Sequence, residues 1–390
     1  MGETGTGYTG EISPGNLRRV PRQGAIGNDL LCRYAGPELA RKRKERRDMM
    51  REVIGKVVAG KNLAADEAAR AVRAVMEGKA TPAQIGGFLT ALRVKGETME
   101  EIYGAALAMR EKAVPICRGR KGLLDTCGTG GDGSNTFNIS TTAAFILAAA
   151  GVPVAKHGNR AISSACGSAD LLEALGIKVD LTPRQVEAAV EEVGIGFLFA
   201  PLFHQAMKYA AGPRKELGFR TVFNLLGPLT NPAGADYQLA GVFRRELLPV
   251  LAEVLARLGV KRALVVHGAG GIDELSLAGE NFLYEVAGGR IRSYTLHPEE
   301  VGLPYCPVEQ LKGGSAQENA GIFRAVLSGE KGPRRAVVLL NAGAALYVAG
   351  RADTIRDGVK LAAEIIDSGA ALAKMEALAA FSRKEQALCI

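Results

Sequence analysis

From Gly122 onward, short apolar runs alternate with amphipathic stretches of helical period, and this alternation constrains the fold more than any other feature of the chain. Strands are expected at "LLDTC", "VPVAKHG", "GFLFAP", "YQLAGVF", "RALVVHG" and "RAVVLLN". Between them "DLLEALG", "PRQVEAAVEEVG" and "ELLPVLAEVLARLG" carry apolar residues at helical spacing, and "GSAQENAGIFRAVLSG" and the segment from Thr354 to about Lys384 do the same. Alternating strands and helices imply an α/β domain with a mainly parallel sheet flanked by helices. Ligands of such sheets bind beyond the carboxyl ends of the strands. The unusual polar residues of this chain fall at those ends.

Ahead of that domain, four helical segments are expected between about residue 49 and residue 113. Thr81-Pro82 supplies an N-cap and a proline at the first helical position. Thr98 and Glu101 form a capping box. The spacing therefore divides the chain into residues 1–48, a basic and disordered extension, residues 49–120, a small helical domain, and residues 121–390, the large α/β domain. The extension is rich in Gly, Pro and Arg, and its lack of apolar periodicity makes it dispensable for the fold. Its ten Lys/Arg against six Asp/Glu account for half of the net charge of +8. The remaining mild basicity suits a polyanionic small substrate. No secretory signal or membrane-spanning run is evident. The six scattered cysteines, with no C-x-x-C pair, read as reduced cytoplasmic thiols.

Four stretches carry candidate chemistry. The first, "DTCGTGGDGSNTFNIST", follows an expected strand and spells G-x-G-x-x-G with Gly128, Gly130 and Gly133. Glycines at a strand end let backbone N–H groups approach an anion closely. A dinucleotide fingerprint wants an acid at the end of the next strand, and here that strand ends in Lys156-His157. No helix opens directly after Gly133, and no Gly-Lys-Ser/Thr follows, so the Walker pattern is also missing. The second stretch, "KHGNRAISSACGS", brings cations, amide and hydroxyls to a second strand end. In the third, "GIDELS", Asp273 and Glu274 offer the hard oxygens that Mg²⁺ shares with phosphate. In the fourth, "PRKELGFRTVFNLLGPLTNP", Arg214 is fitted to a carboxylate. Together they suit transfer from a phosphorylated, Mg²⁺-bound donor to an acceptor bearing a carboxylate.

In order and spacing these four motifs are similar to those of the anthranilate phosphoribosyltransferase family of tryptophan biosynthesis, and the resemblance runs from about residue 49 to the end. It implies a small helical domain joined to a large α/β domain, as in nucleoside phosphorylase class II folds, and a homodimer formed through the helical part. The implied substrates are 5-phosphoribosyl 1-diphosphate and anthranilate, with two Mg²⁺ ions per subunit. Gly128, Gly131, Asp132, Thr136, Asn138, Ile139, Ser140 and Thr141 are implied to hold the donor. So are Lys156, His157, Gly158, Asn159, Arg160, Ala161, Ile162, Ser163, Ser164 and Ser168 after the second strand. Ser140, Asp273 and Glu274 are the implied metal ligands, and Gly128, Asn159 and Arg214 the implied anthranilate contacts. No residue is singled out as a catalytic acid or base, because the aromatic amine is neutral and positioning dominates.

Two other classes share this fold. A pyrimidine nucleoside phosphorylase resembles Lys-His-Ser-Thr-Gly-Gly at the first loop, where this chain has "CGTGG" followed by Asp132. A nucleic-acid-binding paralogue would make use of the positive charge, but the intact Asp273-Glu274 pair and "KHGNR" argue against it. No membrane partner is expected.

Overall fold

The computed structural model describes residues 49–161 and 165–387. The expected extension, and Ile162, Ser163 and Ser164 of the second motif, lie outside the described residues.

Four helices open the described chain: α1 over residues 49–58, α2 Ala65–Met76, α3 Pro82–Lys95 and α4 Met99–Lys112. Thr81 caps α3 by accepting from the Gln84 N–H, with Pro82 at the first helical position. The Thr98–Glu101 capping box forms, and Glu101 does more than cap. Its carboxylate also accepts from Lys95 Nζ at 2.9 Å and from the Leu63 N–H at 2.9 Å while only 1 % exposed. Glu101→Ala strands the Leu63 N–H and removes the only acid paired with Lys95 among the described residues, leaving that ammonium to Asn62 Oδ1 and the Gly96 carbonyl. It is expected to cost about 3 kcal/mol of stability. Urea denaturation checks this: an unchanged midpoint would show that the network contributes nothing.

The large domain is a seven-stranded sheet in the order β3-β2-β1-β4-β5-β6-β7. Its strands are β1 Leu124–Gly128, β2 Val154–Gly158, β3 Ile195–Phe199, β4 Tyr237–Gly241, β5 Arg262–His267, β6 Asn281–Ala287 and β7 Arg290–Leu296. The first five run parallel, and β6 and β7 are antiparallel additions. The helices are α5 Ile139–Ala149, α6 Ser168–Ala174, α7 Pro183–Glu192, α8 Lys208–Leu217, α9 Leu247–Arg257, α10 Ala316–Leu327, α11 Pro333–Val348, α12 Ile355–Asp367 and α13 Ala370–Ala387. One sheet face buries Leu239, Leu264 and Val266 in a cluster with α5 and α11. The other buries Ala240, Ala263 and Val265 with Leu248, Leu251 and Leu255 of α9, and this cluster continues into the helical bundle. Helix α8 leaves the large domain to pack on α3 and α2. No helix among the described residues is long and apolar enough to cross a membrane.

Two expectations change. "RAVVLLN" is not a strand but the first half of α11, whose residues from Arg335 to Val348 are all buried. A helix that is apolar all round carries no amphipathic signature, so only its length separates it from a buried strand. The β6–β7 hairpin is a pairing the alternation did not signal. It turns through Gly288 and Gly289 at φ +57° and +76°, the backbone that a two-residue hairpin loop requires.

Candidate active site

Strand order reverses between β1 and β4, so a crevice opens beyond their carboxyl ends. β1 ends at Gly128 and β4 at Gly241, paired in register. A Cβ on Gly128 would lie 2.2 Å from Asp273 Oδ2, and one on Gly241 would lie 1.5 Å from the Asp273 carbonyl oxygen. Two bare strand ends thus admit the "GIDELS" loop onto the floor of the crevice. Above it Gly130, Gly131 and Gly133 take φ of +69°, +71° and +78°, a left-handed path that side-chain-bearing residues resist. The Gly130 N–H donates to Asp273 Oδ2 at 2.6 Å. Asp132 turns back, accepting from Ser134 Oγ at 2.8 Å and from the Asp273 N–H at 3.2 Å. Residues over 140 positions apart in sequence meet here.

Glu274 accepts from the Ser140 N–H, in the first turn of α5, at 3.2 Å. Burial, with Asp132 close by, pushes Asp273 up to about 7. Burial, then the neighbouring Asp273, pushes Glu274 up to about 8. Beside them Lys156 Nζ reaches the Thr126 carbonyl at 2.5 Å and Ser140 Oγ at 3.4 Å. Burial pulls Lys156 down, opposed by Asp125, Cys127 and Glu274. Crowded anions in a poorly hydrated floor are what a cation would relieve. No cluster of three or more carboxylate, imidazole or thiolate groups arranged for a metal occurs among the described residues. Asp273, Glu274 and the Ser140 hydroxyl are therefore too few for a cage. They do fit Mg²⁺, which keeps waters and takes phosphate oxygens from a substrate.

At the end of β2 the second motif continues the rim. A Cβ on Gly158 would lie 2.2 Å from Ser168 Oγ, and that hydroxyl donates to the Asn159 carbonyl at 3.2 Å. Asn138 is fixed by donating to the Cys166 carbonyl and accepting from Asn319 Nδ2. Thr136 bridges to Lys312, while Ile139 and Thr141 are buried. The Ala161 N–H donates to Asp170 at 2.9 Å. Arg160 is paired with acids of its own motif region. Its guanidinium forks onto Glu173 of α6, at 2.5 and 2.7 Å, and bonds Asp170.

His157 has a partner that the sequence did not mark. Its ring centroid lies 5.0 Å from that of His204, which follows the short helix Ala200–Phe203. His157 Nδ1 stands 3.4 Å from the Gly227 carbonyl, and its Nε2 is buried with no hydrogen-bond partner among the described residues. Burial, then the facing His204, pulls His157 down to about 3, and burial pulls His204 down to about 4. Both rings are neutral at pH 7. Arg214, in the last turn of α8, stacks on Phe223 at 5.4 Å and has no acid partner among the described residues.

Comparison with known proteins agrees with this architecture. The sequence profile of the glycosyl transferase family helical bundle domain matches residues 51–113, and that of the same family's a/b domain matches residues 120–372. The anthranilate phosphoribosyltransferase of Moorella thermoacetica is 58% identical over 333 residues, covering 85% of this chain and 98% of that protein. The chain belongs to the anthranilate phosphoribosyltransferase family. The crystal structure of the family member from Thermus thermophilus superposes with a TM-score of 0.81 at 52% identity, over 85% of this chain and 99% of that one. A Saccharomyces cerevisiae anthranilate phosphoribosyltransferase, solved in complex with PRPP and Mg, gives a TM-score of 0.80 at 29% identity, over 86% and 98% of the two chains.

Proposed function

We propose that the chain transfers the 5-phosphoribosyl group from 5-phosphoribosyl 1-diphosphate to the amine of anthranilate, releasing diphosphate. The observation that carries this reading is the meeting of Asp273 with Gly128 and Gly130 at the switch point, beside Lys156 and Ser140. The C1–O bond to diphosphate breaks with its electron pair leaving on diphosphate, the N–C1 bond forms, and the amine gives one proton to water. Lys156 and the loop N–H groups meet the charge that grows on the leaving diphosphate, by electrostatic preorganisation. Asp273, Glu274 and Ser140 would hold Mg²⁺, two ions per subunit, which would supply further neutralisation of that charge. Arg214 and Asn159 orient the acceptor, and Arg214 meets its carboxylate. With Nδ1–H donating to Gly227, the Nε2 lone pair of His157 is left to receive an amine N–H. An assay following loss of anthranilate fluorescence with the donor and Mg²⁺ tests the whole reading. Failure to consume anthranilate, or consumption without Mg²⁺, would overturn it.

The histidine pair makes a pH prediction. With His157 pulled down to about 3 and His204 to about 4, neither ring titrates in the working range. At saturating Mg²⁺, kcat/KM for anthranilate is expected to stay flat from about pH 6 to 8. A limb near the ordinary imidazole value would mean that water reaches the pair.

A homodimer through the helical bundle fits two exposed apolar side chains there, Val58 at 70% and Val94 at 83% exposure. Cytoplasmic residence fits the free thiols of Cys117, Cys127, Cys166 and Cys306.

A further inference from the structure

Arg220 sits in the segment that joins α8 to the turn at Val222–Asn224. Its guanidinium has no hydrogen bond or ion pair with any described residue. It is held by packing instead. A Cβ on Gly131 would lie 2.4 Å from Nη2, 2.6 Å from Cζ and 2.8 Å from Nε of Arg220, so the planar group lies against the bare Cα of that glycine. The same Cζ stands 4.4 Å from the centroid of the Phe243 ring, with exposed Arg244 at 5.2 Å from it. Phe243 is already tied to the loop, because its N–H donates to Thr129 Oγ1 at 3.2 Å. Thr129 in turn donates its N–H to the Gly241 carbonyl at 3.0 Å.

A loop with three left-handed glycines has much conformational freedom to lose when it receives an anion. Thr129 is fastened by Phe243 and Gly130 by Asp273. At Gly131 the three atoms nearest to an added Cβ all belong to the Arg220 plane. We infer that Arg220 is a positioning residue: packed against Gly131 and the Phe243 ring, its guanidinium holds the glycine loop in the shape that offers N–H groups to the donor's diphosphate. Lysine, a point charge without a plane, cannot replace it. The inference rests on reading the loop as the diphosphate cradle.

The test uses the full chain and inorganic diphosphate with Mg²⁺, titrated calorimetrically, alongside steady-state kinetics with both substrates. Arg220→Ala and Phe243→Leu are each expected to weaken diphosphate binding and raise KM for the donor about tenfold, leaving KM for anthranilate within about twofold. Arg220→Lys should bind as weakly as Arg220→Ala. Gly131→Ala, which displaces the guanidinium, should weaken diphosphate too. Wild-type binding by Arg220→Ala, full rescue by lysine, or equal rises in both KM values would overturn the inference. If Gly131→Ala weakens diphosphate and Arg220→Ala does not, Arg220 alone is misassigned. If Gly131→Ala binds like wild type, the loop is not the cradle and both readings fall.

Discussion

Replacing Asp273 with Asn and Glu274 with Gln is expected to abolish turnover at low Mg²⁺ and to restore part of it as the metal is raised. The double change keeps size and most hydrogen bonding while removing two negative charges from the crevice floor. Weaker oxygen ligands shift metal occupancy without removing the site, so a rate loss of about a hundredfold or more at limiting metal should shrink on titration. The same variant makes a separate prediction about stability without metal. Asp273, at about 7, and Glu274, at about 8, are protonated more readily in the folded chain than at their ordinary values of 3.8 and 4.5. The folded state therefore binds more protons than the unfolded state between those limits. Stability from these groups is fully present below about pH 4 and is lost as pH rises through about 7 to 8. Metal-free wild type should melt at a falling temperature over that window, and the double variant should lose much of the slope. A solvated surface pair predicts superimposable Mg²⁺ titrations and no difference in slope, which would falsify the metal role.

Much of the fold could be read from strand and helix periods because each parallel strand is short, apolar and bounded by turn residues. The clearest exception has a physical cause. Helix α11 is buried on every side, so the polar face that marks a helix is absent. The site was legible as residue types but not as contacts. Nothing local in "GTGGDG" says that Gly128 is bare because the distant Asp273 presses against it. Nor does the sequence show that Arg160, implied as a donor contact, is paired with Asp170 and Glu173 of α6. His204 carried no motif signal, and Arg220, though inside the "GFRTVFNLLGPLTNP" stretch, was given no role of its own. Their surroundings, a facing imidazole and a bare glycine, exist only in the assembled fold.

Arg214→Ala is expected to separate the two substrates. Its guanidinium is half-buried, stacked on Phe223, and lacks an acid partner among the described residues. Burial pulls its pKa down with no carboxylate to oppose the shift. The last-turn carbonyls of α8 offer partial compensation, since a cation there meets the negative end of the helix. A cation held in this way is completed by an anionic ligand. Removing it should cost the charge-assisted hydrogen bond, about 1.5–3 kcal/mol, which is roughly a ten- to hundredfold rise in KM for anthranilate. KM for the donor should stay within about twofold, because in the proposed reading the donor draws on the glycine loop, Lys156 and the acidic floor. Thermal stability should change little, since the alanine also removes an uncompensated charge. Arg214→Lys should recover only part of the loss, as its single ammonium cannot fork onto both carboxylate oxygens. Equal increases in both KM values would mean that Arg214 supports the domain junction as a whole, and the acceptor's carboxylate would then need another cation.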